Sequence, residues 1–569
     1  MLDTPLTPLA IPTSLQASLL ARLDRLNTAK RLAQVAAALG RAFSYDLLAA
    51  VSNLSEPALT DALDKLVEAE LLFRRGVPPR TNFTFKHALV RDAAYSTLLR
   101  RERQLLHARI AKVISEQFSE TSETPPEILA HHYTEAGLVE PAVKYWRQAG
   151  ERARRRWANV EAVKHFTRAI ELLPALREGA ERNRLEFGLN AALGDAMGEI
   201  KGYNAPEVQE VFSRAQTVLD DGAALREQMF ALIGRFNMAS VSADHDTARG
   251  IAEQCLELAS RHPQSKALAQ AHRIMGHMDW TQGQFVEARA HLEQCLAISF
   301  SDEVAKDHSR TFVQDVIVLA WGYLSCLLWQ LGYPQQAEAA GRQSVQKARE
   351  IGQPSRLAFA LHSEMLRRGL FEADPGSALP LADEIVACGK QDGVQLYPAW
   401  ARFYQGVAAA QDADPRPGIA VMCQVRQGLQ RNKVGLFGPI HLYHLAVVHR
   451  RCREYDIAFG LLEEGIRTIE TTGERMFEAE LYRLLGEIEL EVGRVESGEA
   501  ALTTASAVAR RQHARLWELR AAVALARHWG ENGNIAAARD VLASVYGWFS
   551  EGLDTADLQR ARALLERLH

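Results

Sequence analysis

The sequence of 569 residues contains none of the compact motifs that most catalytic sites require. It has no HExxH, no GxSxG and no G-x-x-x-x-G-K-[ST] loop, whose backbone amides and Lys would hold nucleotide phosphates. Its 6 cysteines are scattered without a CxxC pair, so we interpret them as small buried hydrophobic residues in a reducing compartment. The sequence therefore predicts a chain that is not an enzyme.

Three histidines are the strongest candidates for metal ligands. His441 and His444 are spaced to share one helix face, and His449 follows shortly after. No Cys or carboxylate stands at ligand spacing, and such histidines more often lie at the surface or pack in a core. We therefore predict no metal site and no cofactor.

Aromatic side chains in the C-terminal two-thirds are the remaining residues that could bind a ligand. Rings can stack on a ligand or peptide, although core packing explains most aromatic residues at helical spacing. The candidates for a ligand groove are Trp280, Trp321, Tyr323, Trp329, Trp400 and Tyr404.

These aromatic residues lie on elements that recur with a period of about 40 residues. Gly283 suits the left-handed end of a helix, Phe285 fills the turn, and Ala288 lets the next helix approach closely. Small residues recur at the equivalent of Ala288, after a degraded first member at Val208; they are Ala248, Ala337, Gly376, Gly418, Ala458, Gly498 and Ala538. The pattern predicts stacked helical hairpins.

The repeat resembles the tetratricopeptide repeat, with each helix lengthened by roughly one turn. The resemblance implies an all-α superhelix, a tetratricopeptide-like α-solenoid of about nine units over residues 176–569. The first helix of each unit would line a concave surface, where a protein partner or small ligand would bind. An insertion between Ser299 and Thr311 predicts a surface loop.

Composition indicates a folded protein without a strong electrostatic field. Hydrophobic residues make up 47%, charged residues 24%, and the net charge is −4, which favours neither nucleic acid nor membrane as a partner. No run of roughly 18 apolar residues occurs, and the N-terminus lacks a signal pattern. We therefore expect a cytoplasmic protein.

The N-terminal part predicts a winged-helix domain over residues 1–98, followed by a helical connector over residues 99–175. Helices and then one small hairpin define the pattern; the helices are predicted from Ile11, over 28–39, over 45–51 and from Ser55 to about Glu70, and the strands over 71–75 and 81–85. The helix after Ser55 carries five acidic residues against Lys65 alone. Phosphates repel such a surface, so we predict that this domain does not bind nucleic acid.

Several separated segments resemble a family of bacterial signalling proteins that joins an adenylate/guanylate cyclase domain, a STAND-type (AAA-like) ATPase and a tetratricopeptide array. The matching segments are 11–19, 71–76, 83–90, 92–99, 130–133, 201–203 and 546–549. The phosphate-binding loop and the cyclase aspartates are absent. The resemblance therefore implies the C-terminal regulatory half of such a protein, as a truncated product, a separate subunit or a fragment.

The resemblance also implies a role for one residue and for the chain. His87 stands where STAND ATPases place a histidine that contacts the ADP phosphate, so it is the candidate for nucleotide sensing; the alternative is that it caps or packs the helix that begins there. The predicted function is non-catalytic: the repeats bind a protein or small ligand and control an upstream ATPase or cyclase module. Two alternatives stay open, a scaffold that assembles protein complexes and a winged-helix regulator that binds DNA.

Overall fold

In the computed structural model of the protein, the described residues are 19, 21–26, 28–76, 81–117, 125–156, 158–203, 205–217, 225–262, 265–301, 313–371, 375–392 and 396–568. They divide into two compact units. The first comprises Met1–Arg155 with Glu161–Arg182, and the second comprises Arg156–Val160 with Asn183–His569. The division at residues 98 and 175 stays a prediction. The helix expected from Ile11 and most of the loop expected after Ser299 lie outside the described residues.

The first unit contains helices and three short strands. They are α1 (Thr28–Leu39), β1 (Ala42–Ser44), α2 (Tyr45–Ser52), α3 (Glu56–Glu68), β2 (Leu72–Arg75), β3 (Asn82–Phe85), α4 (Ala88–Ser96), α5 (Arg100–Gln117), α6 (Pro126–Ala136), α7 (Val139–Arg155) and α8 (Asn159–Leu172). Helix α2 begins where the Ser44 hydroxyl accepts from the Leu47 N–H at 3.2 Å, and it ends at Asn53, whose φ is +55°. Both residues are favoured at these positions because short polar side chains cap helix ends.

The strands form one antiparallel sheet in the order β1-β3-β2. Phe43 pairs with Phe83 and Leu72 with Phe85, and all four side chains are buried. The sequence predicts the hairpin of β2 and β3 but not β1, because three residues are too few to show an alternating pattern. The element order is compatible with a winged helix, which stays a prediction.

Among its described residues, the second unit consists of helices. They are α9 (Ala180–Lys201), α10 (Pro206–Thr217), α11 (Leu225–Val241), α12 (His245–Ser260), α13 (Lys266–Thr281), α14 (Phe285–Ser299), α15 (Val313–Leu331), α16 (Pro334–Ile351), α17 (Pro354–Leu366), α18 (Pro375–Asp392), α19 (Leu396–Ala409), α20 (Arg416–Arg431), α21 (Gly438–Arg451), α22 (Tyr455–Thr472), α23 (Glu478–Glu491), α24 (Val495–Arg511), α25 (Arg515–Glu531), α26 (Ile535–Tyr546) and α27 (Ala556–Arg567). From α11 onward, consecutive helices pair as hairpins, and α27 ends the array. The fold is an α-solenoid with tetratricopeptide-like hairpins, as predicted.

The turns follow the predicted rules. Gly283 has φ +79°, and both Phe285 and Ala288 are fully buried. At Gly418 an added Cβ would lie 2.4 Å from the backbone nitrogen of Ala410, so a larger residue would force the two helices of that hairpin apart.

One repeat departs from the predicted positions. Gly376 is exposed, and Ala378 takes the buried place instead. The helix before it continues into a π-helical turn, Arg367–Phe371. An added Cβ at Gly369, within this turn, would lie 3.2 Å from the Cβ of Ala378, so the two helices approach closely at Ala378.

Turns that are far apart in the sequence also pack together within the second unit. The Val241 carbonyl accepts from the N–H groups of Gly435 at 2.9 Å and Leu436 at 3.2 Å. The Thr281 carbonyl accepts in the same way from Arg475 at 2.8 Å and Met476 at 3.1 Å. We call these four hydrogen bonds the closure contacts. They join an early turn of the superhelix to a later one.

Candidate functional site

The first helices of the central hairpins are buried on most sides. In α13, 12 of 16 residues are buried, and they include Gln270, Arg273 and His277. A helix buried all round must find internal partners for each polar side chain, because a buried polar group without a partner is unfavourable. The partners of these residues therefore indicate what the interior is built to do.

Rings from five elements meet in this interior. His277 lies 4.7 Å from Tyr323, and Trp400 lies 4.9 Å from His362 and 5.0 Å from Phe437, as ring centroids. Further ring contacts join the two groups through Trp280, Phe359 and Tyr397. We call the set the interior cluster; it comprises Arg273, His277, Trp280, Tyr323, Phe359, His362, Tyr397, Trp400 and Phe437.

Arg273 brings a positive charge into the interior cluster. Its side chain is buried, at 4% exposure, and its Nε donates to Gln270 Oε1 at 3.3 Å. It also hydrogen-bonds the Tyr323 phenol. Burial lowers the pKa of Arg273, but a guanidinium stays protonated in proteins. Among the described residues, Arg273 forms no ion pair with a carboxylate.

Three other polar atoms of the interior cluster have no hydrogen-bond partner among the described residues. They are Nδ1 of His277, Nε2 of His362 and Nε1 of Trp400. Each of the three side chains is buried, at 3% or 4% exposure. Native interiors leave few such atoms, and each one requires a reason.

The histidine rings of the cluster are neutral. Burial lowers the pKa of His362 to about 3 and lowers that of His277 well below its ordinary value. Nε2 of His277 lies 2.9 Å from the hydroxyl of Ser240, so either tautomer leaves Nδ1 without a partner among the described residues. Tyr323 and Tyr397 are half-buried and form the less enclosed side of the cluster.

The structure places the six predicted groove residues in four surroundings. Trp280 and Trp400 lie in the interior cluster with the half-buried Tyr323. Trp329 packs 5.1 Å from Trp517, and Tyr404 packs 6.0 Å from His444. Trp321 is half-buried in the same core. Most of these rings are thus core residues, and their role in binding stays a prediction.

Phe437 links the interior cluster to the closure contacts. Its φ is +66°, a left-handed conformation that is strained for a bulky residue. Its N–H donates to the Glu474 carboxylate at 3.0 Å and 3.2 Å, and that carboxylate lies 3.6 Å from Nε2 of His245. Burial raises the pKa of Glu474. The strained turn is therefore held by a buried carboxylate, one residue after Leu436, which makes a closure contact.

A second polar cluster lies along the first helices of the last hairpins. Arg483 pairs with Glu480 at 2.6 Å and Glu487 at 2.7 Å, and Arg520 pairs with Asp557 at 2.7 Å. Arg483, Glu487, Arg520 and Asp557 line a groove of ≈ 310 Å³. Each of these guanidinium groups faces a carboxylate, so the cluster balances its own charge.

The remaining predicted positions are also visible. His441 and His444 are buried at 3% and 7% exposure, and the His441 ring packs 4.2 Å from that of Phe403. Within the described ranges, no group of three or more His, Cys, Asp or Glu side chains could hold a metal ion.

Cys255 and Cys295 are buried, and burial raises the pKa of each thiol to about 12. In the part of the chain that is described, no helix is long and apolar enough to cross a membrane.

His87 occupies the N-cap position of α4, and its side chain makes no capping hydrogen bond. The residue is exposed. The capping role of the imidazole, which the sequence left as the alternative, therefore has no hydrogen bond to support it. The nucleotide-sensing role stays a prediction.

Sequence reasoning missed Arg273, His277 and His362 as candidates. A signal was present in α13, where Gln270, Arg273 and His277 are spaced by three and four residues and so share one helix face. Polar residues in that register on a helix rich in apolar residues indicate an internal site. Phe437 gave no comparable signal, because its conformation depends on the distant Glu474.

These features define the chain as a helical-repeat protein with a polar, partly unsatisfied interior. No family model matches it. It is 23% identical over 489 residues to an uncharacterized protein of Rhizobium meliloti (strain 1021). The aligned residues cover 84% of this chain and 47% of the relative. The chain thus spans about half the length of the curated relative it matches.

Solved structures match this chain at lower sequence identity. A Rap protein complexed with competence and sporulation factor is 10% identical and covers 75% of this chain and 97% of its own, with a TM-score of 0.36. A STAND protein with a tetratricopeptide repeat sensor from Pyrococcus horikoshii is 12% identical and covers 71% of this chain and 63% of its own, with a TM-score of 0.34.

Proposed function

We propose that this chain is the regulatory region of a signalling protein. Its helical repeats bind a protein partner or small ligand, and its first unit passes the bound state to an ATPase or cyclase module. The coarser part of this proposal follows from the fold, since stacked helical hairpins present extended surfaces to partners. The control of a further module rests on the resemblance of the separated segments.

The interior cluster is the observation that carries the proposal. Arg273 is buried without a carboxylate partner among the described residues, and the same cluster holds the unpartnered atoms of His277, His362 and Trp400. Binding sites commonly combine apolar and aromatic walls with a few polar groups that fix the orientation of a ligand. The interior cluster has this composition.

Phe437 connects the interior cluster to the closure contacts. Its ring contacts Trp400 and His362, while its N–H is held by Glu474 beside a closure contact. A ligand that shifts these rings changes the support of the turn at Gly435 and Leu436. Ligand binding would then favour one packing of the superhelical turns over another.

In the first unit, we propose a winged helix whose exposed His87 contacts the phosphate of a nucleotide bound by a partner module. An imidazole can donate a hydrogen bond to a phosphate oxygen. The N-cap position suits this contact, because the first N–H groups of α4 point toward the same space.

Hydrogen–deuterium exchange of the purified chain tests the regulatory proposal. Fractions of a small-molecule extract from the producing cells are added, and the amides of Leu436 and Met476 are followed. A ligand in the interior cluster is expected to slow their exchange, because both amides make closure contacts. The Trp400→Phe variant should weaken the response.

The matched control is Trp529→Phe. Trp529 lies outside the interior cluster, and its Nε1 donates to Glu499, so this variant should respond like the wild type. If fractions that bind the chain leave the closure amides unchanged, the regulatory proposal is wrong. If a protein partner slows hydrogen exchange only in the second helices of the hairpins, the result would favour the scaffold alternative.

A further inference from the structure

The charge of the interior cluster differs from that of other buried arginine sites in this chain. Arg367 is buried at 2% exposure, and its guanidinium pairs with Glu364, itself at 4% exposure. Arg483 and Arg520 likewise face Glu480 and Asp557. At these three sites the guanidinium lies beside a carboxylate. Arg273 has a neutral amide and a phenol instead.

A buried cation without a counter-charge is unfavourable, and a second cation lies close enough to act on it. The charge of Arg356 is among the causes that lower the pKa of Arg273. Arg356 itself lies 3.5 Å from Glu199, so that carboxylate is already engaged. The positive potential of the interior cluster is therefore not cancelled by the described residues around Arg273.

The interior cluster also contains neutral hydrogen-bond donors. The indole N–H of Trp400 can only donate, and it has no partner among the described residues. The hydroxyls of Tyr323 and Tyr397 can donate as well, and both rings are half-buried. Burial raises the pKa of both phenols, so they keep their protons at neutral pH. A guanidinium with further donors in the same cluster has the chemistry that recognises an oxyanion.

We propose that the interior cluster binds a small oxyanion, the carboxylate or phosphate group of a ligand, with Arg273 as its counter-charge. This inference rests on the proposed function, because it names the ligand class for the same site. Tyr323 and Tyr397 are the most exposed members of the interior cluster, so we place the entry of the ligand beside them. Their rings also offer flat apolar surface to the rest of the ligand.

Urea unfolding of the full chain, followed by tryptophan fluorescence, tests this inference. Potassium phosphate, citrate and acetate are each compared with potassium chloride at equal ionic strength. At a concentration about 100 times the Kd, a specific anion raises the ratio of folded to unfolded protein about 100-fold. Response to phosphate alone identifies a phosphate ligand, and response to citrate or acetate identifies a carboxylate. If no anion stabilises the wild type more than chloride does, the inference is refuted without any variant.

Two substitutions assign the effect to Arg273. Arg273→Gln should abolish the anion-dependent increase, because the counter-charge is gone. Arg367→Gln is the matched control; it removes an equally buried guanidinium that has a carboxylate, so the increase should persist even though the variant is less stable. An increase that survives in Arg273→Gln overturns the proposal.

A further variant covers the case in which Arg273→Gln does not fold. Arg273→Lys keeps the charge but loses the planar pair of donors, so anion affinity should fall at least about tenfold. Unchanged affinity in Arg273→Lys also overturns the proposal. An anion effect without slower exchange at Leu436 and Met476 would support this inference and refute the regulatory function, so the two failures are distinguishable.

Discussion

Replacing Glu474 by Ala should loosen the turn that links the interior cluster to the closure contacts. The Glu474 carboxylate is buried at 1% exposure and accepts the N–H of Phe437 at 3.0 Å. Its removal leaves that buried N–H without an acceptor, which costs about 1–3 kcal/mol. It also frees Phe437 to leave its strained φ of +66°. We expect the local opening free energy to fall by about 2 kcal/mol.

Hydrogen exchange measures this loss at the amides that make the closure contacts. A decrease of about 2 kcal/mol corresponds to exchange that is about 30-fold faster at Leu436 and Met476. Amides of α27, which lies at the end of the array, should not change and serve as the internal reference.

The Glu474→Gln variant separates shape from charge. Its side-chain oxygen can still accept from Phe437, and its amide can face His245, so exchange should stay close to that of the wild type. Because burial raises the pKa of Glu474 in the folded state, the folded chain binds more protons, and wild-type stability falls as pH rises above the ordinary value of 4.5. Glu474→Gln should remove this slope. Equal acceleration by both variants, or none by Glu474→Ala, would refute the reasoning.

Three further predictions concern other sites. Burial opposes the ionisation of Glu487, but Arg483 and Arg450 outweigh this effect and lower the pKa of Glu487 from 4.5 to about 2. Glu487→Gln should therefore lower the free energy of unfolding in urea by about 3 kcal/mol at pH 7. The difference from the wild type should vanish as pH falls from 4.5 to about 2. Fluorescence anisotropy should show no sequence-selective DNA binding, because α3 is acidic and its Asp61 already pairs with Lys65 at 2.6 Å; a salt-dependent, selective signal would contradict this. When the chain is joined to its cognate ATPase module, His87→Ala should reduce ADP retention; unchanged retention and basal activity would reject the sensor role.

Local features of the fold were predictable because they depend on residues close in sequence. The bounds of α1 agree with the prediction, and the turn at Gly283 has the expected positive φ. Both follow from the helical period and from the conformational freedom of glycine. The predicted buried small residue at Gly376 was wrong, because Ala378 is buried there instead, after a π-helical turn.

The site was less predictable, because it depends on how distant turns meet. The amide of Gln330 accepts from Trp280 and donates to the carbonyl of Met476, 146 residues further along the chain. Periodicity shows that hairpins stack, but it does not show which turns of the superhelix touch. For this reason the sequence offers Trp280 and Trp400 as candidates for a ligand groove but does not show that both rings are buried.

Three buried histidines of the second unit and Arg273 keep their charge states near neutral pH. Burial lowers the pKa of His362, His441 and His444 to about 3. With folded values below the ordinary 6.5, these rings are neutral at pH 7, and their protonation weakens the fold only as pH falls below 6.5. Arg273, in turn, stays charged near neutral pH. None of these four groups changes its charge near neutral pH, so a change of their electrostatic balance there requires a charged group that enters from outside.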